Sequence, residues 1–295
     1  MAARILDGRA LASRIQTQIS QDVARLRAER GVTPRLVALL AGDDPASAQY
    51  VRMKRRACEQ VGIESLTHEL DADSNQAEVE VALRAFNADP AVHGILVQLP
   101  LPPQIDEQEA LALVSLARDV DGFHPVHIGQ LAMKGREPAF APATPSGIMV
   151  MLRESGIDLA GAHAVVLGRS NIVGLPVAML LQQADATVTL CHSRTRNLPA
   201  LVRQADVLVA ALGRPRFVQA DWLKPGVTVI DVGTNRVADP VTSRGWRWVG
   251  DVDFERAREV AAAISPVPGG VGPMTITMLL QHTLLAAQRS VGLAP

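Results

Sequence analysis

Short apolar segments alternate with longer helical patterns along this chain of 295 residues, and few architectures are compatible with such an alternation. Short runs of Val, Ile, Leu and Ala are typical of strands buried on both faces, and helices between them connect the strands in parallel. The sequence therefore predicts an α/β fold. The predicted strands are 36–41, 94–99, 164–167, 187–191, 207–211, 228–232 and 246–249, and helical patterns cover 11–29, 46–61, 77–87 and 175–183.

The length of the chain indicates two domains, because a single hydrophobic core rarely grows beyond about 250–300 residues. The stretch 119–145 is rich in Gly, Pro and His and lacks periodicity, which is typical of a linker and lining loops. We therefore expect two α/β domains flanking a cleft. The first covers residues 1–120, loops cover 121–145, and a Rossmann-type parallel sheet covers 146–274. We expect the last helical segment, 275–295, to pack back on the first domain.

Charge and composition exclude several classes of function. The formal net charge is −1, which argues against a surface for nucleic acid or anionic membrane. The N-terminal segment lacks the apolar region of a signal peptide, and no run approaches the roughly 18 apolar residues that span a bilayer. Cys58 and Cys191 lie far apart and form no metal-ligand spacing. We therefore expect a cytoplasmic protein, in a compartment that keeps thiols reduced.

Near the C-terminus, residues 265–275 read Ser-Pro-Val-Pro-Gly-Gly-Val-Gly-Pro-Met-Thr. Six of the eight residues from Pro266 to Pro273 are Pro or Gly, so we expect neither a helix interior nor a central strand here. A loop with few side chains, placed before a helix, lets backbone amides approach a ligand closely. We interpret the segment as a ligand loop; a tight turn between two elements is the alternative.

Residues 162–174 combine an apolar strand, a glycine turn and the start of a helix. Gly168 follows the strand, Gly174 permits close approach of the helix, and Pro176 suits a first helical turn. Such a turn presents free backbone amides to a pyrophosphate, although the spacing differs from G-x-G-x-x-G. We therefore expect a dinucleotide at this turn.

The end of the next predicted strand indicates which dinucleotide binds. An NAD site places Asp or Glu about 20 residues after the first glycine. Here residues 191–196 read Cys-His-Ser-Arg-Thr-Arg and contain no acid. Together with Arg169, these cations favour a 2′-phosphate and hence NADP. A basic surface loop without a ligand is the alternative.

A helical pattern between Asp44 and Gly62 places one lysine on its apolar side. At about 100° per residue, Lys54 shares a stripe with Tyr50 and Val61, opposite the three arginines of this helix. Burial lowers the pKa of a lysine and so makes it a usable base. The alternative is that Lys54 lies at the edge of the stripe and extends its ammonium group into solvent.

Two further polar residues lie where a ligand site is expected. Gln98 stands near the end of an apolar strand, where ligands of parallel sheets bind. Its side-chain amide either faces a ligand or merely caps the strand end. Asp121 lies in the following loop, where its carboxylate either contacts a ligand or is simply solvated in a turn. His124 and His127 are three positions apart, with Pro125 between them and no third ligand nearby, so we assign no metal.

Six motifs occur in the order found in one known family. They are Tyr50-Val-x-x-Lys54, 94–102 (Gly-Ile-Leu-Val-Gln-Leu-Pro-Leu-Pro), 119–125 (Asp-Val-Asp-Gly-Phe-His-Pro), 168–174 (Gly-Arg-Ser-Asn-Ile-Val-Gly), 229–233 (Val-Ile-Asp-Val-Gly) and 266–275 (Pro-Val-Pro-Gly-Gly-Val-Gly-Pro-Met-Thr). Over nearly its whole length the chain closely resembles bifunctional methylenetetrahydrofolate dehydrogenase/methenyltetrahydrofolate cyclohydrolase. The resemblance implies oxidation of 5,10-methylenetetrahydrofolate with NADP, followed by hydrolysis of the methenyl product to 10-formyltetrahydrofolate. It also implies a homodimer joined through the nucleotide domains.

The resemblance implies roles for individual residues. Lys54 would assist attack by water, and Gln98 would orient that lysine. Tyr50 would stack on the aminobenzoate ring, and Asp121 would hydrogen-bond the pterin. The substrate-binding set implied is Tyr50, Lys54, Val97, Gln98, Leu99, Asp121, Pro268, Gly269, Gly270 and Gly272. The cofactor-binding set implied is Gly168, Arg169, Ser170, Ser193 and Thr234.

The chain departs from the family pattern at four positions. Ala143 stands where a cysteine is frequent, His127 and His282 stand where asparagine is common, and Thr234 replaces an aliphatic residue beside the nicotinamide. Three other functions remain as alternatives. One is a dehydrogenase without cyclohydrolase activity, which the presence of Lys54 and Gln98 disfavours. The others are another two-domain NADP oxidoreductase, similar to shikimate dehydrogenase, and a non-catalytic binder of folate or nucleotide.

Overall fold

The computed structural model describes residues 2–242 and 245–293. The strands are β1 (Arg4–Ile5), β2 (Arg35–Ala41), β3 (Glu64–Leu70), β4 (Gly94–Val97), β5 (His163–Leu167), β6 (Thr187–Cys191), β7 (Val207–Ala210), β8 (Thr228–Asp231), β9 (Asn235–Ala238), β10 (Trp246–Val249) and β11 (Ala263–Ile264). The α-helices are α1 (Gly8–Arg30), α2 (Pro45–Val61), α3 (Gln76–Ala88), α4 (Glu107–Leu113), α5 (Pro125–Leu131), α6 (Ala143–Glu154), α7 (Gly174–Gln183), α8 (Leu198–Val202), α9 (Phe254–Ala257) and α10 (Val271–Ser290). Within the described ranges, no helix is both long enough and apolar enough to cross a membrane.

The described residues form two compact units. Residues 2–12 and 144–275 make up the six-stranded unit, and residues 13–143 and 276–293 make up the three-stranded unit, each named after its sheet. Both sheets are parallel and carry helices between their strands. The predicted α/β class, with a Rossmann-type parallel sheet in the later part of the chain, is confirmed.

The six-stranded sheet has the strand order β1-β11-β8-β7-β5-β6. Its neighbouring strands β5, β7 and β8 are buried on both faces, which explains why they are continuous apolar runs in the sequence. Their carboxyl ends lie side by side, because Leu167 is opposite Ala210 and Ala210 is opposite Asp231. Ligands of open parallel sheets bind beyond such ends.

The three-stranded sheet has the order β3-β2-β4, with β2 in the centre. Alternate residues of β2 enter two different buried clusters, one on each face of the sheet. Leu36 of β2 belongs to the same cluster as Leu26 of α1, Val61 of α2 and Leu280 of α10. The C-terminal helix therefore contributes to the core of this unit.

The N-terminal residues belong to the six-stranded unit, whereas the sequence placed residues 1–120 in the first domain. The reason is β1, in which Arg4 and Ile5 pair in parallel with Ala263 and Ile264 of β11. The pairing adds an edge strand to the sheet. A strand of two residues carries no periodic signal, so this pairing was not predicted.

The stretch 119–145 was predicted as linker and loops, but it contains α5 and the beginning of α6. Pro125 occupies the first turn of α5, and the Nδ1 atom of His124 accepts a hydrogen bond from the amide of Val126. A helix of seven residues is too short to show a clear amphipathic period. Residues up to 143 belong to the three-stranded unit, so the boundary lies within this part of the chain.

Helix α10 begins at Val271, four positions before the predicted start at residue 275. Gly272 and Pro273 therefore lie in its first turn, although the sequence placed them in a loop. Proline is tolerated at this position because the first amides of a helix have no acceptor within the helix.

Two strands also differ from the sequence prediction. Strand β3 was not predicted because its sequence is polar and its residues are exposed or half-buried at the edge of the sheet. Strand β10 was predicted with its correct bounds, but it pairs antiparallel with β9 in a separate two-stranded sheet. The sequence had suggested a further parallel strand.

Candidate active site

Helix α2 carries Lys54 in the three-stranded unit. Asp44 caps the helix by accepting hydrogen bonds from the amides of Ala46 and Ser47, and Gly62 ends it in the left-handed conformation at φ 83°. Lys54 is half-buried, and its Nζ atom donates a hydrogen bond of 3.2 Å to Oε1 of Gln98. The flanking arginines of the helix are exposed.

Gln98 follows strand β4 directly and is 9% exposed. Its main-chain amide donates to the carbonyl of Leu39 at 2.9 Å, which continues the pairing between β4 and β2. Its Nε2 atom donates to the carbonyl of Leu99 at 2.7 Å. Because the nitrogen end of the amide is held in this way, Oε1 is the end that faces Lys54.

Lys54 and Asp121 influence the protonation of each other. Burial lowers the pKa of Lys54, while the negative charge of Asp121 acts in the opposite direction. Burial raises the pKa of Asp121; the charge of Lys54 opposes this, whereas that of Asp119 adds to it. An amine whose neutral form is favoured can accept a proton from water, so this arrangement suits general base chemistry.

The loop that carries Asp121 is held by a buried carboxylate that the sequence analysis did not single out. Oδ2 of Asp119 accepts the amide of His124 at 2.8 Å and lies 2.9 Å from Nδ1 of His127. Oδ1 accepts the amide of Phe123 at 3.2 Å. His127, one of the departures from the family pattern, therefore pairs with Asp119.

His282, a second departure, lies beside the same loop. Its Nδ1 atom is 2.8 Å from the carbonyl of Val120, and its ring lies 5.4 Å from that of Phe140. The ring of Phe140 is also 6.0 Å from that of His127. Burial lowers the pKa of His282 to about 4, so the neutral ring is strongly favoured. Both histidines thus take part in packing the loop.

The other residues expected to contact substrate in this unit differ in accessibility. Tyr50 is 38% exposed on α2, and Leu99 is half-buried. Val97 is almost fully buried and belongs to the hydrophobic cluster beneath the sheet. The structure therefore brings Lys54, Gln98 and Asp121 together, leaves Tyr50 on the surface, and leaves little more than the backbone of Val97 available to a ligand.

In the six-stranded unit, the turn after β5 has no room for side chains at its two glycines. Gly168 has φ +112°, and a Cβ atom there would overlap the carbonyl of Ala211. A Cβ atom at Gly174 would overlap the carbonyl of Gly168. The hydroxyl of Ser170 accepts the amides of Val173 and Gly174 at 3.2 and 3.3 Å, where α7 begins. The result is a tight strand–turn–helix unit that fits a dinucleotide phosphate.

The remaining residues expected at the cofactor are exposed. Arg169 lies in the turn after β5, Ser193 lies in the loop after β6, and Thr234 lies between β8 and β9. In the loop after β6, the hydroxyl of Thr195 accepts the amide of His192 at 2.8 Å. The guanidinium groups of Arg169, Arg194 and Arg196 are exposed, and none forms an ion pair with another described residue.

The Pro-Gly segment leads into α10 at the edge of the six-stranded sheet. The amide of Arg9 donates to the carbonyl of Gly269 at 2.9 Å, and a Cβ atom at Gly8 would overlap the carbonyl of Gly270. Pro268 and Gly272 are exposed, whereas Gly270 is buried. The N-terminal segment therefore holds this loop in place. The short sequence Asp7-Gly8-Arg9 gave no signal of that contact.

Within the ranges that the structure describes, no group of three or more His, Cys, Asp or Glu side chains is arranged to hold a metal ion.

Two family descriptions match the chain. Residues 6–121 match the catalytic domain of tetrahydrofolate dehydrogenase/cyclohydrolase, and residues 142–291 match its NAD(P)-binding domain. The bifunctional protein FolD of Azoarcus sp. (strain BH72) is 57% identical over 290 residues, which cover 98% of each chain.

Solved structures agree with these matches. The methylenetetrahydrofolate dehydrogenase-cyclohydrolase (FolD) of Trypanosoma brucei, complexed with NADP cofactor and inhibitor, superposes with a TM-score of 0.95 at 45% identity and covers 99% of both chains. The bifunctional FolD enzyme of Campylobacter jejuni superposes with a TM-score of 0.92 at 43% identity, covering 98% of this chain and 99% of its own.

Proposed function

The chain belongs to the tetrahydrofolate dehydrogenase/cyclohydrolase family, and we propose that it carries out both reactions, with Lys54 as the base of the hydrolytic one. It is a bifunctional enzyme of one-carbon metabolism. In the first reaction 5,10-methylenetetrahydrofolate is oxidised to the methenyl form. In the second, water adds to the methenyl carbon and the ring opens to 10-formyltetrahydrofolate.

The hydrogen bond between Lys54 and Gln98 carries the proposal for the second reaction. A half-buried lysine with a lowered pKa can take a proton from the attacking water, and its neutral form avoids repulsion with the cationic methenyl substrate. Gln98 accepts a hydrogen bond from Lys54 and is itself held by Leu99, so it sets the direction of the amine. The methenyl carbon is already electrophilic, so this step requires no metal.

Folate-binding roles are proposed for residues of each unit. Tyr50 offers an exposed ring for stacking on the aminobenzoate, and Asp121 offers a carboxyl group for the pterin. Leu99 and the backbone of Val97 would complete the contacts of the three-stranded unit. In the six-stranded unit, Pro268, Gly269, Gly270 and Gly272 would contribute backbone and small surfaces.

The six-stranded unit would hold NADP. The backbone of Gly168, Arg169 and Ser170 would meet its phosphates, because the glycine turn leaves space that a side chain would fill. Ser193 and the exposed guanidinium groups of Arg169, Arg194 and Arg196 favour a 2′-phosphate, and Thr234 would lie near the nicotinamide. When bound, NADP supplies the hydride acceptor for the first reaction.

The assembly and compartment are part of the same proposal. The family resemblance implies a homodimer joined through the six-stranded units, which light scattering would detect as twice the mass of the chain. The two cysteines are free and buried, which agrees with a cytoplasmic compartment that keeps thiols reduced.

The test is an assay of purified protein with 5,10-methylenetetrahydrofolate and either NADP or NAD. Reduced nicotinamide, methenyl product and formyl product are followed separately. We expect faster reduction of NADP than of NAD, with little accumulation of the methenyl product. Accumulation of the methenyl product would indicate a monofunctional dehydrogenase and contradict the role of Lys54. Absence of reduction with either cofactor would contradict the first reaction.

A further inference from the structure

Two buried carboxylates, Asp231 and Asp251, lie at the carboxyl end of the six-stranded sheet and have no role in the function described so far. Asp231 is the last residue of β8, and Asp251 follows β10. Their residues are 2% and 0% exposed. Carboxylates buried to this degree must find hydrogen-bond donors, and the identity of those donors indicates what the carboxylates do.

The carboxylate of Asp251 accepts hydrogen bonds from backbone amides of the loop after β7. Oδ2 accepts the amides of Leu212 and Gly213 at 2.5 and 3.0 Å, and Oδ1 accepts the amide of Arg214 at 2.8 Å. Oδ1 also accepts Nδ2 of Asn235 at 2.9 Å. A single side chain therefore binds three consecutive backbone amides and one residue at the start of β9.

Asp231 holds Asp251 in the position that these contacts require. Its Oδ1 atom accepts the amide of Asp251 at 2.8 Å and that of Gly233 at 3.0 Å, and its Oδ2 atom accepts the amide of Val252 at 2.9 Å. A Cβ atom at Gly250 would overlap the carboxylate of Asp231. The two aspartates thus form one connected network in which Asp231 positions Asp251.

The segment bound by Asp251 lies directly against the glycine turn. Ala211 precedes the three bound amides, and its carbonyl occupies the space that a Cβ atom at Gly168 would need. Thr234 stands between Gly233, which donates to Asp231, and Asn235, which donates to Asp251. The loop after β7, which Asp251 binds, and the loop after β8, which contains Thr234, adjoin the carboxyl ends of these strands, where ligands of parallel sheets bind.

We propose that Asp251 is a positioning residue for the NADP site, which orders the loop at 211–214 and the loop of Thr234 before the cofactor binds. It does not touch the cofactor; it acts through the backbone that faces Gly168. An ordered backbone lowers the conformational cost of binding, so its loss should weaken affinity rather than remove a direct contact. This proposal rests on the assignment of NADP to the six-stranded unit.

The test replaces Asp251 by asparagine and measures two quantities on the full-length protein. The first is the Kd for NADP by calorimetry, without folate. The second is hydrolysis of added 5,10-methenyltetrahydrofolate, a reaction that involves Lys54 and Gln98 and consumes no NADP. An amide has one acceptor oxygen and a donor nitrogen, so at least one backbone N–H of residues 212–214 would face another donor. We expect Kd to rise about tenfold or more, with hydrolysis within about twofold of the wild type.

Asp253→Asn is the matched control, because Asp253 lies two residues away and its carboxylate lies 3.8 Å from the guanidinium group of Arg256. It should leave Kd unchanged. Asn235→Ala is a milder variant that removes one of the four donors to Asp251, and we expect about a threefold rise in Kd. If Asp251→Asn does not fold, the Kd of Asn235→Ala for NADP tests the proposal instead.

Three results would overturn the proposal. One is an unchanged Kd in both Asp251→Asn and Asn235→Ala. Another is a loss of hydrolysis in proportion to the loss of NADP affinity, which would indicate a general structural role. The third is absence of NADP binding by the wild type, which would also overturn the cofactor assignment. The first two results leave that assignment intact, so the two failures are distinguishable.

Discussion

Lys54 and Asp121 each favour the charged form of the other, while burial favours the neutral form of both. The hydrogen bond from Lys54 to Gln98 orients the amine within this balance. The pair comes from distant segments, a helix and a loop, and its electrostatics can be tested at each partner separately.

Replacement of Lys54 by methionine should abolish most of the hydrolytic activity. Methionine keeps the length of the side chain but removes the base, so we expect the rate of methenyl hydrolysis to fall by a factor of about 10²–10⁴. Methenyl product should then accumulate during NADP reduction, which absorbance follows directly. Arg55→Met removes an exposed charge from the next position and should behave as the wild type. Equal rates of hydrolysis in Lys54→Met and the wild type would contradict the assignment.

Replacement of Asp121 by asparagine should shift the pH dependence of hydrolysis. A base works in its neutral form, so the rate should rise with pH up to an inflection below 10.5, the ordinary pKa of lysine. The charge of Asp121 raises the pKa of Lys54, so its removal should move the inflection to still lower pH. Rates are measured as a function of pH after subtraction of the uncatalysed reaction. Asp73→Asn, an exposed aspartate of the same unit, serves as the control. A shift to higher pH would show that the two residues are not coupled as described.

Replacement of Gly8 by alanine should displace the Pro-Gly loop. The new Cβ atom would overlap the carbonyl of Gly270, and overpacking of this kind costs about 1–3 kcal/mol. If the loop contacts folate, the KM for folate substrates should rise about tenfold in both reactions. Gly129→Ala adds a methyl group that meets no atom within 4 Å outside its chain neighbours and the backbone of its own helix, and it should leave both KM values unchanged. Loss of stability with unchanged KM values would show that the loop does not contribute to substrate binding.

Replacement of His282 by asparagine should weaken the dependence of stability on pH. Burial lowers the pKa of this histidine from 6.5 to about 4, so between these values only the unfolded state takes up the proton. The free energy of unfolding should therefore fall as the pH is lowered from about 6.5 to 4. The full pKa shift corresponds to a loss of roughly 3.4 kcal/mol in the free energy of unfolding. We expect a loss of about 2 kcal/mol, because His282 is only half-buried.

Denaturant unfolding at pH 7 and pH 5 measures this effect. The difference between wild type and His282→Asn isolates the contribution of His282 from those of other groups, and it should be smaller at pH 5 than at pH 7. His68→Asn, which alters an exposed histidine on β3, should follow the wild type. A constant difference between His282→Asn and the wild type at both pH values would contradict the prediction.

Much of the site could be predicted because its signals are local. The orientation of Lys54 follows from the helical period of α2, whose ends are set by Asp44 and Gly62 within the same segment. The glycine turn at 168–174 was recognised from its order of strand, turn and helix. The roles of these residues in the family stay predictions until the variants are measured.

Other features could not be predicted because their partners are far apart in the chain. Asp251 binds amides at 212–214, and Asp231 binds the amide of Asp251, 20 residues away. The motif at 229–233 was recognised, but nothing local indicated that its aspartate would accept three amides. The contact of Gly8 with Gly270 likewise joins opposite ends of the sequence.

The sequence by itself determined the α/β class, the bounds of several central strands and the residues at which helix α2 begins and ends, because burial and capping act over a few neighbouring residues. Only the tertiary structure decided that the N-terminal strand joins the six-stranded sheet, that β10 forms a separate hairpin, and that Asp231 and Asp251 share one network. These outcomes depend on which strands become neighbours. That choice balances packing and hydrogen bonding over the whole sheet, which no short segment encodes.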